Sequence, residues 1–413
     1  MNDKTAVFYF SCIPYDYLNQ RPQQLFRAWR SSFTDLYEFY YIDDLGVRRF
    51  VTRCLHHLKQ RLENLLLAKQ NNSEADAFVL TCPGIPRSLG RRALPKWVSQ
   101  GVLSFKVTNF FVRRMLDKRY GNAQKKVAIL ANPFFEPFVS KDDFDLVCYD
   151  YLDPIELYAV LYSASEFYQV QELHRRLVAK SDIVFVTAQN LNEEIISISD
   201  NKDVIMVSNG TDADFFERNK KSHEIADYTK TNRKTAGYMG TYHRVDMDLI
   251  YTAARRLAEV DFLLIGPIER IIPLDKQLGL RVRQKPSNVF ILGTKDYNQL
   301  PAYVHLFDVA LIPFKPSDIA DSSDPVKLYD YFSLGKPVVA TRLKELKKFD
   351  DGRLLRIAET PDEFVNAIKT FLEYDVEAWR ESRRQIARQN SWLSKATLII
   401  RSIESKINEN TRA

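Results

Sequence analysis

Short apolar runs alternate along the chain with longer stretches of helical periodicity. In the first half the runs at 6–10, 36–42, 77–80, 127–130, 146–148, 183–186 and 204–207 predict buried strands, and 21–29, 51–68 and 156–180 predict helices. The second half repeats the rhythm, with strands at 235–239, 261–265, 289–292, 309–312 and 338–340 and helices at 248–257 and 326–334. A tail over 375–406 reads as helix, with Trp379 and Trp392 as apolar anchors. Strands separated by helices predict α/β layers around mostly parallel sheets.

At 413 residues the chain exceeds the size at which one core stops growing, so two doubly wound domains are expected. The turn Ser208-Asn209-Gly210-Thr211-Asp212 marks the boundary, giving a first domain over 1–207 and a second over 208–380, followed by 381–413. Two such domains in tandem predict a cleft at the carboxyl ends of both sheets.

Composition narrows the class. Hydrophobic residues make up 45% of the chain and aromatics 12%, which argues for packed domains rather than disorder. Met1-Asn2-Asp3-Lys4 runs directly into the first strand, and no apolar run approaches a membrane span. Cys12, Cys54, Cys82 and Cys148 are scattered, as expected of reduced residues in a cytosolic protein, and no metal site is expected. The net charge of +6 is local in origin: the segment 87–126 carries eleven basic residues against Asp117 alone, so the rest of the chain is −4. Its cations are interleaved with Trp97, Phe105, Phe110 and Phe111, which suits an anionic membrane surface as well as a solvated helix face. No nucleic-acid recognition motif accompanies it.

Candidate chemistry concentrates in Asp324-Pro325-Val326-Lys327-Leu328-Tyr329-Asp330-Tyr331, followed by Gly335-Lys336-Pro337-Val338-Val339-Ala340-Thr341. A lysine at a helix entrance with an acid three residues on suits a nucleotide, Lys327 for the diphosphate and Asp330 for the ribose hydroxyls. An ordinary exposed Lys/Asp pair has the same spacing. The loop Gly240-Thr241, opening a helix, offers backbone N–H groups and a hydroxyl to phosphate, or is a plain strand-to-helix turn. Arg244 and His243 on that loop add positive charge or are solvated. Arg21 follows the first strand's loop and precedes Pro22, and is assigned to diphosphate or acceptor binding, with a loop-pinning salt bridge as the alternative. Tyr15 and Tyr17 either stack on a sugar or simply pack. Asp150 and Asp153, after a short strand, are the candidate general bases, Asp153 preferred; its other reading is a cap before Pro154.

These motifs, together with Val207-Ser208-Asn209-Gly210-Thr211-Asp212, Gly237-Tyr238-Met239-Gly240-Thr241 and Asn390-Ser391-Trp392, resemble in order those of GT-B glycosyltransferases. Asn19-Gln20-Arg21-Pro22-Gln23-Gln24-Leu25 is similar to a motif of bacterial surface-polysaccharide transferases of the teichuronic-acid and xanthan type. The resemblance implies two Rossmann-like domains facing a cleft, an N-terminal acceptor domain, a C-terminal donor domain and a closing helix that crosses back. It implies a metal-independent hexosyltransferase without cofactor, taking a nucleotide sugar, UDP-linked by family frequency, to a polysaccharide or lipid-linked glycan. That acceptor fits a cytoplasmic enzyme held peripherally at the membrane. The donor site would include Val326, Ser322 and Ser323, with the base held near Thr294 and Tyr297. The chain departs from the family at Ser322, where many retaining members carry the first of two glutamates eight positions apart; Asp321 or Asp324 would have to substitute. A nucleotide-sugar epimerase and an inactive sugar-nucleotide-binding subunit are the alternative readings.

Overall fold

The computed structural model describes residues 4–11, 13, 15, 20–46, 79–84, 125–160, 164–199, 203–221, 225, 227–229, 232–268, 279 and 282–412. Side chains of 43–46, 79–84, 158, 160 and 165–166 are not described. The helix expected over 51–68, the basic run over 87–124, Tyr17, Cys12 and Cys54 lie outside these residues. The contacts divide the chain into an N-terminal unit (1–186, 193–205 and 396–413) and a C-terminal unit (187–192 and 206–395).

The N-terminal unit is built on a seven-stranded sheet in the order β3-β2-β1-β4-β5-β6-β7. Its strands are β1 (Thr5–Ser11), β2 (Tyr37–Gly46), β3 (Val79–Gly84), β4 (Lys125–Leu130), β5 (Leu146–Tyr151), β6 (Ile183–Val186) and β7 (Asp203–Met206). Strands β1 to β6 pair in parallel. Strand β5 is buried along its whole length and β1 nearly so, because helices cover both faces of such a sheet. The order reverses between β1 and β4. Helices α1 (Arg21–Ser32), α2 (Ala164–Lys180) and α3 (Gln189–Ile198) follow β1, β5 and β6.

The helix expected over 156–180 is in two pieces. After Pro154 the chain forms a 3-10 segment, Ile155–Val160, begun by the Leu157 N–H donating to the Pro154 carbonyl at 3.0 Å, and α2 starts at Ala164. His174 is buried on α2, with Tyr149 Oη 3.1 Å from Nδ1 and Glu194 Oε1 3.4 Å from Nε2.

The C-terminal unit holds a six-stranded, all-parallel sheet in the order β10-β9-β8-β11-β12-β13. It comprises α4 (Ala213–Asn219), β8 (Lys234–Met239), α5 (Met247–Arg256), β9 (Val260–Ile265), β10 (Val289–Gly293), α6 (Leu300–Leu306) and β11 (Val309–Ile312). Next come α7 (Asp318–Asp321), α8 (Val326–Ser333), β12 (Val338–Thr341), β13 (Leu355–Ala358), α9 (Pro361–Glu373), α10 (Glu377–Gln389) and α11 (Trp392–Arg412), which runs on beyond this unit. Strand β13 escaped the apolar-run criterion because Arg356 interrupts its short sequence. The helical tail is broken at Asn390-Ser391, where the backbone bonds elsewhere: Thr211 N–H donates to the Asn390 carbonyl at 3.0 Å and Trp392 N–H to the Thr211 carbonyl at 3.1 Å. Trp392 is buried and Trp379 half-buried. No described helix is long and apolar enough to cross a membrane.

Candidate active site

In the C-terminal unit the strand order reverses between β8 and β11, and in open α/β sheets ligands bind outside the carboxyl ends of the strands at that point. Three glycines lie at or just beyond the strand ends on the β8 side. Gly240 has φ 143° and a Cβ there would stand 2.9 Å from Lys327 Cε and Tyr238 Oη. Gly266 sits so close below that a Cβ would meet the Gly240 carbonyl oxygen at 1.9 Å. The Gly266 N–H donates to the Gly293 carbonyl at 2.9 Å, joining the third glycine to this layer. Backbone therefore replaces side chain at the edge of the sheet, which only glycine permits.

The Gly240 N–H does not point outward as expected: it donates to the Ile265 carbonyl at 2.9 Å, so Gly240 supplies space rather than a donor. The open donors are at Thr241, which is exposed and whose N–H and hydroxyl find no partner among the described residues. Tyr238 Oη donates to the Thr241 carbonyl at 2.6 Å and fixes this loop.

Lys327 enters the space above Gly240 from the first turn of α8. Its Nζ lies 4.6 Å from the Phe314 ring centroid and 5.5 Å from that of Tyr238. It makes no ion pair or hydrogen bond among the described residues. Burial first, and then the charge of Arg244, push its pKa from 10.5 down to about 8, against the opposing pull of Asp330. Arg244 Nη1 donates to Ser323 Oγ at 2.8 Å. His243, on the same loop, is held below its ordinary value by partial burial and by Arg244 and Lys327. Three basic side chains thus act on one another electrostatically, with aromatic faces beside the lysine.

Asp330 is not the lysine's ion-pair partner. The carboxylate is buried and accepts from Thr211 Oγ1 at 2.7 Å, tying α8 to the 208–212 turn. Burial raises its pKa to about 7, with the Thr211 bond and Lys327 opposing. Lys327 and Asp330 are therefore not an exposed surface pair: one is half-buried, the other buried, and Asp330 bonds to Thr211 rather than to the lysine.

Ser322 and Ser323 are buried at the end of α7, their hydroxyls donating to the Asp318 and Ile319 carbonyls. Ser322 Oγ also accepts from Asn190 Nδ2 at 3.3 Å. Of the two proposed replacement acids, Asp324 is closed to a ligand and Asp321 is half-buried. Asp324 is buried and accepts the Asn209 N–H at 2.6 Å, with Tyr329 Oη 3.1 Å from its other oxygen; burial raises its pKa. Asp321 accepts from the Lys344 N–H at 3.1 Å. Val326 is half-buried at the start of α8. After β10, Thr294 is exposed, Lys295 pairs with Asp227 at 2.5 Å and the Tyr297 ring stacks on Phe215 at 4.9 Å and meets Phe216 edge-on at 6.3 Å.

In the N-terminal unit Arg21 and Asp150 are brought together. Arg21 Nη2 lies 2.8 Å from Asp150 Oδ1 and its Nε donates to Oδ2 at 3.3 Å, while Tyr9 Oη donates to Oδ2 at 2.8 Å. Arg21 is 3% exposed and Asp150 fully buried. The expectation of Asp150 as a general base is corrected: both oxygens are engaged and none reaches solvent. Arg21 follows its salt-bridge reading, pinning the start of α1 to β5. Tyr15 is half-buried, edge-on to Tyr41 and Phe26, and packs rather than presenting an open platform. Asp153 is exposed just beyond β5.

Residue types alone did not single out Phe314, Tyr238, Thr211 or Gly266. The available signal was position: each of the first two belongs to a strand, or the residues just after one, flanking the order reversal.

Residues 233–374 match the family model described as glycosyl transferases group 1. A proposed teichuronic acid biosynthesis glycosyltransferase of Bacillus subtilis, TuaH, is 24% identical over 371 residues, covering 82% of this chain and 90% of that protein. Among solved structures, a sucrose-phosphate synthase from Thermosynechococcus elongatus superposes with TM-score 0.65 at 13% identity, covering 97% of this chain and 99% of that one. Anabaena HepE, solved with UDP and glucose, gives TM-score 0.62 at 14% identity, covering 98% and 100%.

Proposed function

We propose that this chain, whose residues 233–374 match the group 1 glycosyl transferase model and whose fold is that of the superposed transferases, is a glycosyltransferase that moves a sugar from a nucleoside diphosphate sugar, UDP-linked, to a polysaccharide or lipid-linked glycan. The observation that carries this reading is Lys327: an ammonium without a counter-ion among the described residues, at the strand-order reversal, beside a second cation and above a glycine floor. Such a site is complementary to a diphosphate that gains charge as it leaves. Lys327, Arg244 and the Thr241 N–H and hydroxyl would hold the diphosphate. These protein cations would take the role a metal plays in other transferases. Asp330, braced by Thr211, would meet the ribose, and the 293–297 loop the base, through backbone groups.

In the reaction the bond from the anomeric carbon to the diphosphate oxygen breaks and a bond to the acceptor oxygen forms. The diphosphate leaves with the electron pair, and the acceptor's proton goes to a carboxylate. Asp153 is the proposed base, since it is exposed where Asp150 is not; the buried Arg21–Asp150–Tyr9 group would hold the end of β5 in place. The HepE complex with UDP and the naming of TuaH for teichuronic acid synthesis support donor and acceptor class respectively. The basic, aromatic-rich 87–126 segment favours an acceptor at an anionic cytoplasmic membrane surface.

Calorimetric titration with UDP, GDP, dTDP and CMP tests the donor assignment. Saturable UDP binding that Lys327→Ala weakens at least tenfold is expected. Binding of none of the four, or of UDP equally by both proteins, would overturn it.

A further inference from the structure

A groove lies in the C-terminal unit beside its edge strand β13. The groove, about 270 Å³, is bounded by α10 and by the loop entering β13. That loop, Asp351 to Leu354, precedes the amino end of its strand, whereas Lys327 and Gly240 stand beyond carboxyl ends. The groove is therefore separate from the donor site.

Its wall is one face of α10. Trp379, Ser382, Gln385, Ile386 and Gln389 recur at helical spacing and line it. The rest of that helix is heavily charged, but its charges are internally paired: Arg384 with Glu377 at 2.6 Å and Glu381 at 3.1 Å, and Arg388 with Glu381 at 2.7 Å. On the facing loop Arg353 is closed by Asp351 at 2.9 Å. The two charged residues of the groove lining are thus paired with each other, and it carries no net charge. It presents an indole, two primary amides and a hydroxyl.

Trp379 is half-buried and set by an edge-on contact with Tyr374, ring centroids 5.0 Å apart. Its indole N–H and the Gln385 and Gln389 amides find no hydrogen-bond partner among the described residues. Ser382 Oγ donates to the Ala378 carbonyl at 3.0 Å and keeps its lone pairs for a donor. An apolar ring face beside uncharged donors and acceptors matches a pyranose, whose C–H face is apolar and whose rim is hydroxyl. A phosphate would find no free cation here, and a helical peptide would find amides where it needs an apolar slot. The volume is below the range of drug-sized pockets and suits a monosaccharide unit or two.

We propose that this groove is a binding site for neutral glycan, distinct from the donor site, which grips the acceptor chain away from the reacting end. A second weak grip on one polymer raises its effective concentration at the first. Glycan binding stands on the groove itself and does not require the donor assignment; its service as an acceptor grip rests on the transferase reading.

The test is titration of the full-length protein with maltohexaose, cellohexaose and chitohexaose, read by indole fluorescence and by calorimetry. At least one is expected to bind with Kd on the order of 1 mM. Binding should fall at least tenfold in Trp379→Ala and in the surface double variant Gln385→Ala/Gln389→Ala, with circular dichroism unchanged in the latter. Saturating UDP, or Lys327→Ala, should leave it intact. Absence of binding by all three, equal binding by both variants, or competition by UDP would overturn the proposal. Loss of UDP binding with retained hexasaccharide binding would instead count against the donor assignment alone.

Discussion

Replacing Lys327 with methionine should make the empty protein more stable and disable it. The ammonium is held in a half-buried space beside Arg244, and its pKa falls from 10.5 to about 8. Below pH 8 the side chain is protonated in both folded and unfolded chains, so the folded state carries the whole penalty, ~3 kcal/mol by the size of that fall. Contact with the Phe314 and Tyr238 rings returns about 1–2 kcal/mol of it. Methionine keeps the stem's packing and lacks the charge, so a net gain of about 1–2 kcal/mol is expected at pH 7. In a unit of this size that is a rise of roughly 2–6 °C in its melting temperature. The gain should fade as pH rises from 8 towards 10.5, where the native lysine loses its proton on folding and the penalty disappears. Removing a charge-assisted contact to the diphosphate should weaken UDP binding about 10- to 100-fold. Thermal unfolding at pH 7 and pH 10, with calorimetric UDP titration, measures both effects. A lower melting temperature at pH 7 would mean that a counter-charge already holds the ammonium. Unchanged UDP affinity would remove Lys327 from the diphosphate site.

Asp330→Asn should also stabilise the empty protein, but with the opposite pH dependence: with a folded pKa raised to about 7, the native acid costs nothing below its unfolded value of 3.8 and most above pH 7, so the melting difference should grow from pH 4 to pH 8. Asp150→Asn should cost about 3–5 kcal/mol, since it leaves the buried Arg21 guanidinium without its counter-charge, and urea unfolding reads this directly. Asp153→Asn, at an exposed position, should leave the unfolding curve in place and lower transfer to acceptor by about 10²- to 10⁴-fold in a nucleotide-release assay. Gly266→Ala should abolish UDP binding and lower the melting temperature sharply, because a Cβ 1.9 Å from the Gly240 carbonyl must push backbone against backbone.

The layered α/β architecture was legible in the chain because its strands are buried on both faces, which writes them as uninterrupted apolar runs such as Val7 to Phe10 and Val338 to Ala340. Helix ends were less legible: nothing in the 156–180 pattern shows a 3-10 turn after Pro154, and the break at Asn390-Ser391 is made by Thr211, far away in sequence. Lys327 could be singled out from the sequence because a cation at a helix entrance is a local pattern. Its environment was not local. Tyr238, Gly240 and Arg244 come from the end of β8 and the loop after it, Phe314 from just beyond the end of β11, and both segments meet Lys327 only where the strand order reverses.

The same division explains the acids. Asp150 and Asp153 lie three residues apart and look equivalent as carboxylates near a strand end. Side chains alternate along β5, and Asp150 points to the face where Tyr9 and Arg21 wait, while Asp153 lies beyond the strand in solvent. Asp330 likewise shares a helical turn with Lys327 yet bonds to Thr211. Residue type and spacing decided by themselves that the chain forms two wound sheets and carries nucleotide-compatible chemistry, since those depend on local periodicity. Which carboxylate is spent on structure, which is exposed, and how far each proton affinity moves depended on burial and on partners distant in sequence, and only the tertiary structure determines those.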